Sequence, residues 1–157
     1  MFNGVRAVDS VLVDQLRADR SRGLNTAAFV SGYPGSPLGG FDLTLQRMDK
    51  SQLNFQHVRG LNEELAATAV WGSQQDHLAP LKDLDGVIAM WYGKTPGLDR
   101  CGDALRHANS HGTGVNGGVI PAVGDDPSSK SSTLPGSCEH ALLDLAIPIF
   151  SLARFKR

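Results

Sequence analysis

Gly86-Val87-Ile88-Ala89-Met90-Trp91-Tyr92, running directly into Gly93-Lys94-Thr95-Pro96-Gly97, is the stretch that decides the fold. Seven residues pass without a charge and without polar alternation, the pattern of a strand buried on both faces, and a glycine loop then ends it. The same punctuation recurs on either side. Thr26-Ala27-Ala28-Phe29-Val30-Ser31 is a short buried strand that runs into Gly32-Tyr33-Pro34-Gly35-Ser36-Pro37-Leu38-Gly39-Gly40, where six of nine residues are Gly or Pro. Gly117–Val123 is a further strand and ends at Gly124-Asp125-Asp126-Pro127.

Helical patterns fill the intervals. Residues 8–20 carry Val8, Val11, Leu12 and Leu16 on one face, with Arg17, Asp19 and Arg20 elsewhere, and stop at Arg22-Gly23. A second helix is expected around Phe41–Met48, a weaker strand at Asn54–Val58 and a helix near Asp99–Asn109. After a polar Ser/Lys/Thr loop, a helix near Cys138–Leu145 and a strand over Ile147–Leu152 complete the pattern. Strand and helix alternate, which predicts an α/β fold with a parallel, doubly wound sheet whose ligands sit at the carboxyl ends of the strands. No repeat or internal boundary divides residues 1–157, so one domain is expected. Core-like Ile147-Pro148-Ile149-Phe150 stands so near Arg157 that the domain is expected to be truncated at its C-terminus.

Composition excludes several classes of function. The chain of 157 residues is 41% hydrophobic and 20% charged, which is ordinary for a folded domain with a core. Its net charge of -1, with acids and bases interspersed, gives no basis for binding nucleic acid or an anionic membrane surface. No apolar run reaches membrane-spanning length and the N-terminus has no secretory pattern, so a cytoplasmic location is expected. Two cysteines, Cys101 and Cys138, are too few for a disulfide framework, an iron–sulfur cluster or a zinc site. The 18 glycines exceed the usual share and mark turns and close backbone approaches.

Among the remaining segments, Gly60-Leu61-Asn62-Glu63-Glu64-Leu65-Ala66-Ala67-Thr68-Ala69-Val70-Trp71-Gly72 holds the strongest candidate for chemistry. Asn62 is a good N-cap, and Glu63 and Glu64 fall in the first turn, where the helix dipole favours negative charge. Ala66, Ala67, Ala69 and Val70 form a thin face suited to close packing. An acid at such a helix mouth suits proton chemistry; the plainer reading is an acid that only complements the dipole. The 32–40 loop has neither GxGxxG nor GxxxxGK[ST] spacing, and its prolines remove phosphate-binding donors. It suits a flat ligand approaching the backbone, with Ser36 offering it a hydroxyl or capping the next turn. His107 and His111, four apart, lack a third metal ligand. Cys138-Glu139-His140 is no nucleophile–base pair, because adjacent helical residues diverge, and Cys101 reads as a small buried residue. Lys94 meets an anionic substrate, a neighbouring chain or solvent.

Six blocks in order resemble the N-terminal part of indolepyruvate ferredoxin oxidoreductase-like proteins. They are Gln15 to Arg20, Val30 to Gly40, Gly60 to Gly72, Met90 to Lys94, Gly102 to Asn109, and Gly124 to Asp126 with Lys130 to Thr133. These proteins are 2-oxoacid:ferredoxin oxidoreductases that use thiamine diphosphate. The resemblance implies the pyrimidine-binding domain of the thiamine diphosphate fold. It assigns Glu63, with Gly72 nine residues on, the glutamate that hydrogen-bonds the aminopyrimidine and so sets up deprotonation of the thiazolium carbon. Tyr33-Pro34-Gly35-Ser36-Pro37 resembles the family's Tyr-Pro-x-Thr-Pro loop. Tyr33, Pro34 and Gly35 are thereby implied in holding the cofactor, and Ser36 in facing the substrate.

The implied reaction is oxidative decarboxylation of a 2-oxo acid to an acyl-coenzyme A, with electrons passing through iron–sulfur clusters to ferredoxin. Departures from the family pattern limit what this chain supplies. Gly124-Asp125-Asp126 is not the Gly-Asp-Gly…Asn segment that would hold pyrophosphate and Mg2+, and there are no cysteine clusters. The pyrophosphate-binding domain is expected in cis or in trans, in a homo-oligomer when complete, and this chain alone is expected to be inactive. The alternative is a non-catalytic remnant or binding module of the same fold that acts only with a partner subunit. The resemblance gives Lys94, His107 and Asp125 no role.

Overall fold

Residues 26–32 and 86–94 lie side by side at the centre of the sheet, and the rest of the fold is built outward from them. The structure, a computed structural model, describes residues 4–35, 38–48, 53–75 and 83–125. In order these form α1 (Gly4–Ser21), β1 (Thr26–Gly32), α2 (Gly39–Arg47), β2 (Phe55–Arg59) and α3 (Glu63–Gly72). Then come β3 (Gly86–Lys94), α4 (Thr95–Arg100), α5 (Gly102–His111) and β4 (Gly118–Gly124). The strands run in the order β2-β1-β3-β4, all parallel. The chain moves one way from β1 to β2 and the opposite way from β2 to β3. Crossovers of one hand must then lie on opposite faces, and α2 and α3 do so. The β3-to-β4 step continues in the second direction, and α5 accordingly shares the face of α3.

Alternate side chains of the central strands feed two cores. Val30, Ile88, Met90 and Tyr92 meet Leu12, Leu16, Phe41 and Leu45 of α1 and α2 on one face. Ala89, Trp91 and Val119 meet Ala66, Val70, Leu98 and Leu105 of α3, α4 and α5 on the other. β3 is buried from Gly86 to Gly93, as its unbroken apolar run requires. The start of α1 apart, element positions agree with the sequence to within a residue or two for β1, α2, β2, α3 and β4. The Schellman motif that ends α1 uses Gly23 in the left-handed region (φ 80°), with the Leu24 and Gly23 amides donating to the carbonyls of Asp19 and Arg20.

Four expectations need correction. Gly93-Lys94-Thr95-Pro96-Gly97 is not a loop: Gly93 and Lys94 end β3 and Thr95 opens α4 at once. Pro96 is compatible with this because the first turn of a helix needs no donor from it. The helix near Asp99–Asn109 is two helices, broken at Cys101. On α1, Val11 faces outward while Asp19 is buried, its carboxylate accepting from the Thr26 hydroxyl at 2.7 Å and from Gln15 at 2.8 Å. On α3, Ala66, Ala67 and Val70 are buried, but Ala69 is exposed. The elements expected over Cys138–Leu145 and Ile147–Leu152 lie outside the described residues.

Candidate functional site

The strand order reverses at β1 and β3, so their carboxyl ends form the switch point of the sheet, where an open α/β fold leaves a crevice. Tyr33-Pro34-Gly35 leaves β1 there, Gly60 to Asn62 leaves β2, and α3 begins at the same edge with Glu63. The N-cap is as the sequence predicts: Asn62 is extended, and its Oδ1 accepts from the Leu65 amide at 2.8 Å.

Glu63 is 9% exposed. Its main chain is fixed, the Trp91 indole donating to its carbonyl at 3.0 Å. Its carboxylate is not. Among the described residues no hydrogen-bond donor reaches it, and its one ion-pair partner is the largely exposed Arg100, at 3.8 Å from Oε2. Gly97 of α4 leaves the space this side chain occupies, since a Cβ there would lie 2.5 Å from Glu63 Cγ and 2.9 Å from Oε1. Next to Arg100, Cys101 is fully buried. Burial, with the negative charge of Glu63 and Glu64, pushes its thiol up from 9.0 to about 12. Cys101 is thus the inert core residue its sequence context suggests, not a nucleophile.

On the other face of the same edge lies a polar centre that the sequence reading missed. Asp42, in the first turn of α2, is 1% exposed. It accepts from the Tyr92 hydroxyl at 2.6 Å and from Gln46 Nε2 at 2.7 Å. Arg59 Nε donates to both its oxygens, at 3.0 and 2.9 Å, and a terminal nitrogen of the same guanidinium donates to Oδ2. His57 Nε2 lies 3.6 Å from Asp42 and 3.1 Å from the Tyr92 hydroxyl. Burial by itself raises the Asp42 pKa, but the hydrogen bonds from Arg59 and Tyr92 and the nearby positive charge outweigh it, so the net shift is downward. Burial and the bond to Asp42 push the Tyr92 phenol well above its ordinary value. The cluster depends on Gly32, whose absent Cβ would lie 2.3 Å from the Tyr92 carbonyl and 2.4 Å from its ring.

The remaining candidates separate cleanly. Tyr33 is exposed at the switch point, its amide donating to the Tyr92 carbonyl at 3.1 Å; Pro34 and Gly35 are half-buried beside it. Ser36, the substrate-facing candidate, lies outside the described residues, as does Cys138-Glu139-His140. Gly72 closes the helix that Glu63 opens, and a Cβ there would meet nothing. Lys94 ends β3, and Asp125 accepts from the Thr95 hydroxyl, tying the end of β4 to α4. His107 and His111 flank Trp71, with ring centroids 5.7 and 5.3 Å away, and His111 Nδ1 is 2.8 Å from the His107 carbonyl. No cluster of three or more metal-ligating side chains occurs among the described residues, nor any helix long and apolar enough to cross a membrane. A cleft lined by Ala27, Phe29, Phe55, Ser73 and Val87 opens near the amino ends of the strands, away from Glu63.

Comparison with protein-family models, with curated proteins and with solved structures gives no match for this chain.

Proposed function

We propose that this chain supplies the pyrimidine-binding half of a thiamine diphosphate site, as the N-terminal part of a 2-oxoacid:ferredoxin oxidoreductase of the indolepyruvate type. One observation carries the reading. Glu63 is a mostly buried side chain at the switch point whose carboxylate, with no hydrogen-bond donor among the described residues, keeps its acceptor capacity. A carboxylate without a protein donor is open to a ligand that brings one. A protonated or hydrogen-bearing ring nitrogen is the donor such a group lacks.

The residues fit the pyrimidine half of the cofactor. Glu63 accepts a charge-assisted hydrogen bond from the ring. Gly97 leaves room for the carboxylate, and the Trp91 indole holds the Glu63 backbone. Tyr33, Pro34 and Gly35 leave β1 at the same edge of the sheet, with Ser36 assigned to the substrate by resemblance. Bound thiamine diphosphate supplies the electron sink for decarboxylation of a 2-oxo acid. The pyrophosphate and Mg2+ half belongs to another domain, in cis or in trans, as do the clusters that pass electrons to ferredoxin; two cysteines cannot ligate one. Coenzyme A takes the acyl product in the same scheme.

The test is turnover of aryl-pyruvate and simpler 2-oxo acids by the native protein, with thiamine diphosphate, Mg2+, coenzyme A and an electron acceptor. Glu63→Gln is expected to lower decarboxylation about 10²-fold or more. Full-rate turnover by that variant overturns the assignment. Failure of the wild type to bind the cofactor, with every partner chain present, leaves the non-catalytic module as the correct reading.

A further inference from the structure

Arg59 is the last residue of β2, and Glu63 opens the next helix. Between them the chain turns from the sheet into α3 with no slack. The Gly60 amide donates to the Gly32 carbonyl at 3.0 Å. A Cβ on Gly60 would lie 2.6 Å from the Asn62 carbonyl oxygen and 2.7 Å from Ala66 Cβ. Asn62 then caps the helix, and Trp91 holds the Glu63 carbonyl. An elbow packed this closely transmits any displacement of its first residue to its last.

That first residue is gripped from the opposite face of the sheet. The Arg59 fork closes on both oxygens of Asp42, and Asp42 is itself anchored by Tyr92 and Gln46. Neutralisation alone does not explain the arrangement. Tyr92 and Gln46 already satisfy Asp42 in part, and half of the Arg59 side chain is in water. What the planar two-point fork adds is direction, which a single-point ammonium would not.

We infer that Asp42 and Arg59 are positioning residues for Glu63, fixing the elbow that carries it from across the sheet. Their role at a cofactor site rests on the function proposed above; their hold on the elbow does not. The experiment is a double-mutant cycle in the native protein, Arg59→Gln with and without Glu63→Gln, read as the affinity for thiamine diphosphate with Mg2+. Arg59→Gln is expected to weaken binding tenfold or more when Glu63 is present and less than twofold when Gln replaces it. Arg59→Lys, which keeps the charge and loses the fork, is expected to fall between. Equal losses in both backgrounds, or no loss in either, overturn the inference.

Should the wild type bind no thiamine diphosphate, the proposed function fails while the clamp is still judged by amide hydrogen exchange. Exchange in Arg59→Gln that quickens at residues 60–65 while residues 86–92 keep their protection supports the clamp. Unchanged or uniformly faster exchange overturns it.

Discussion

Asp42 and Glu63 invite comparison, because each is a buried acid in the first turn of a helix that follows a strand, at one edge of one sheet. Only their surroundings differ. On the α2 face, Asp42 accepts from a phenol, an amide and an arginine fork. On the α3 face, Glu63 has a glycine against its side chain and a cation at 3.8 Å. A saturated carboxylate has no acceptor capacity left for a ligand and acts only through the groups it holds. One held in place by its backbone and left unsatisfied has acceptor capacity to offer a ligand. Asp42 thus serves as a support held by the fold, and Glu63 is the acid the proposed function assigns to a ligand.

The largest expected effect on folding tests how the two faces are supported. Gly32→Ala drives a Cβ into the Tyr92 backbone, which cannot yield inside a parallel ladder. A loss of at least about 3 kcal/mol is expected in urea unfolding. Gly97→Ala makes the contrasting probe, because its Cβ meets the Glu63 side chain from Cγ outward, which can turn aside as backbone cannot. Its stability is expected to stay within about 1 kcal/mol of wild type while thiamine diphosphate affinity falls about tenfold or more.

Asp42→Asn comes next, with an expected cost of about 2 to 3 kcal/mol at pH 7, since it removes the charge that Arg59 and Tyr92 address. The acid limb gives the sign. The Asp42 pKa lies below its ordinary 3.8 when folded, so its contribution is complete above that value and is lost as pH falls through the native one. The stability gap between wild type and Asp42→Asn is therefore expected to narrow below about pH 4.

Cys101 sharpens the comparison at the other end of the scale. Burial raises its pKa from 9.0 to about 12, so the unfolded chain releases a proton that the folded chain retains. Stability is expected to fall by roughly 1.4 kcal/mol per pH unit between those values from this group, and Cys101→Ala is expected to remove that part of the alkaline slope. Below pH 9 the thiol of the folded protein is expected to resist alkylating reagents, which mass spectrometry at that position would show.

Much of the fold is legible in the sequence because β3 has an unmistakable apolar run and because glycines punctuate the strand ends. The start of α4 is hidden since Pro96 and two glycines imitate a loop, although proline is well tolerated in a first turn. The position of Glu63 is legible because its N-cap and its helix are local features. Asp42 is not. A first-turn aspartate in α2 reads the same whether it faces water or a buried fork, and its partners come from 17 and 50 residues away. Even Tyr92 and Arg59 look like an ordinary strand aromatic and a strand-end cation until β1, β2 and β3 are in register. Gln46, at helical spacing from Asp42, is the sole local hint.

The most direct test of this division of labour is thermal unfolding of wild type and Glu63→Gln, each with and without thiamine diphosphate and Mg2+. Without cofactor, Glu63→Gln is expected to melt within about a degree or two of wild type, because no hydrogen bond from a described donor is lost with the charge. Cofactor is expected to raise the midpoint of wild type and, at the same concentration, to raise that of Glu63→Gln far less, since only binding to the folded state shifts it. A Glu63→Gln protein that melts well below wild type without cofactor, or that is stabilised by it to the same extent, would contradict the assignment of Glu63 to the ligand.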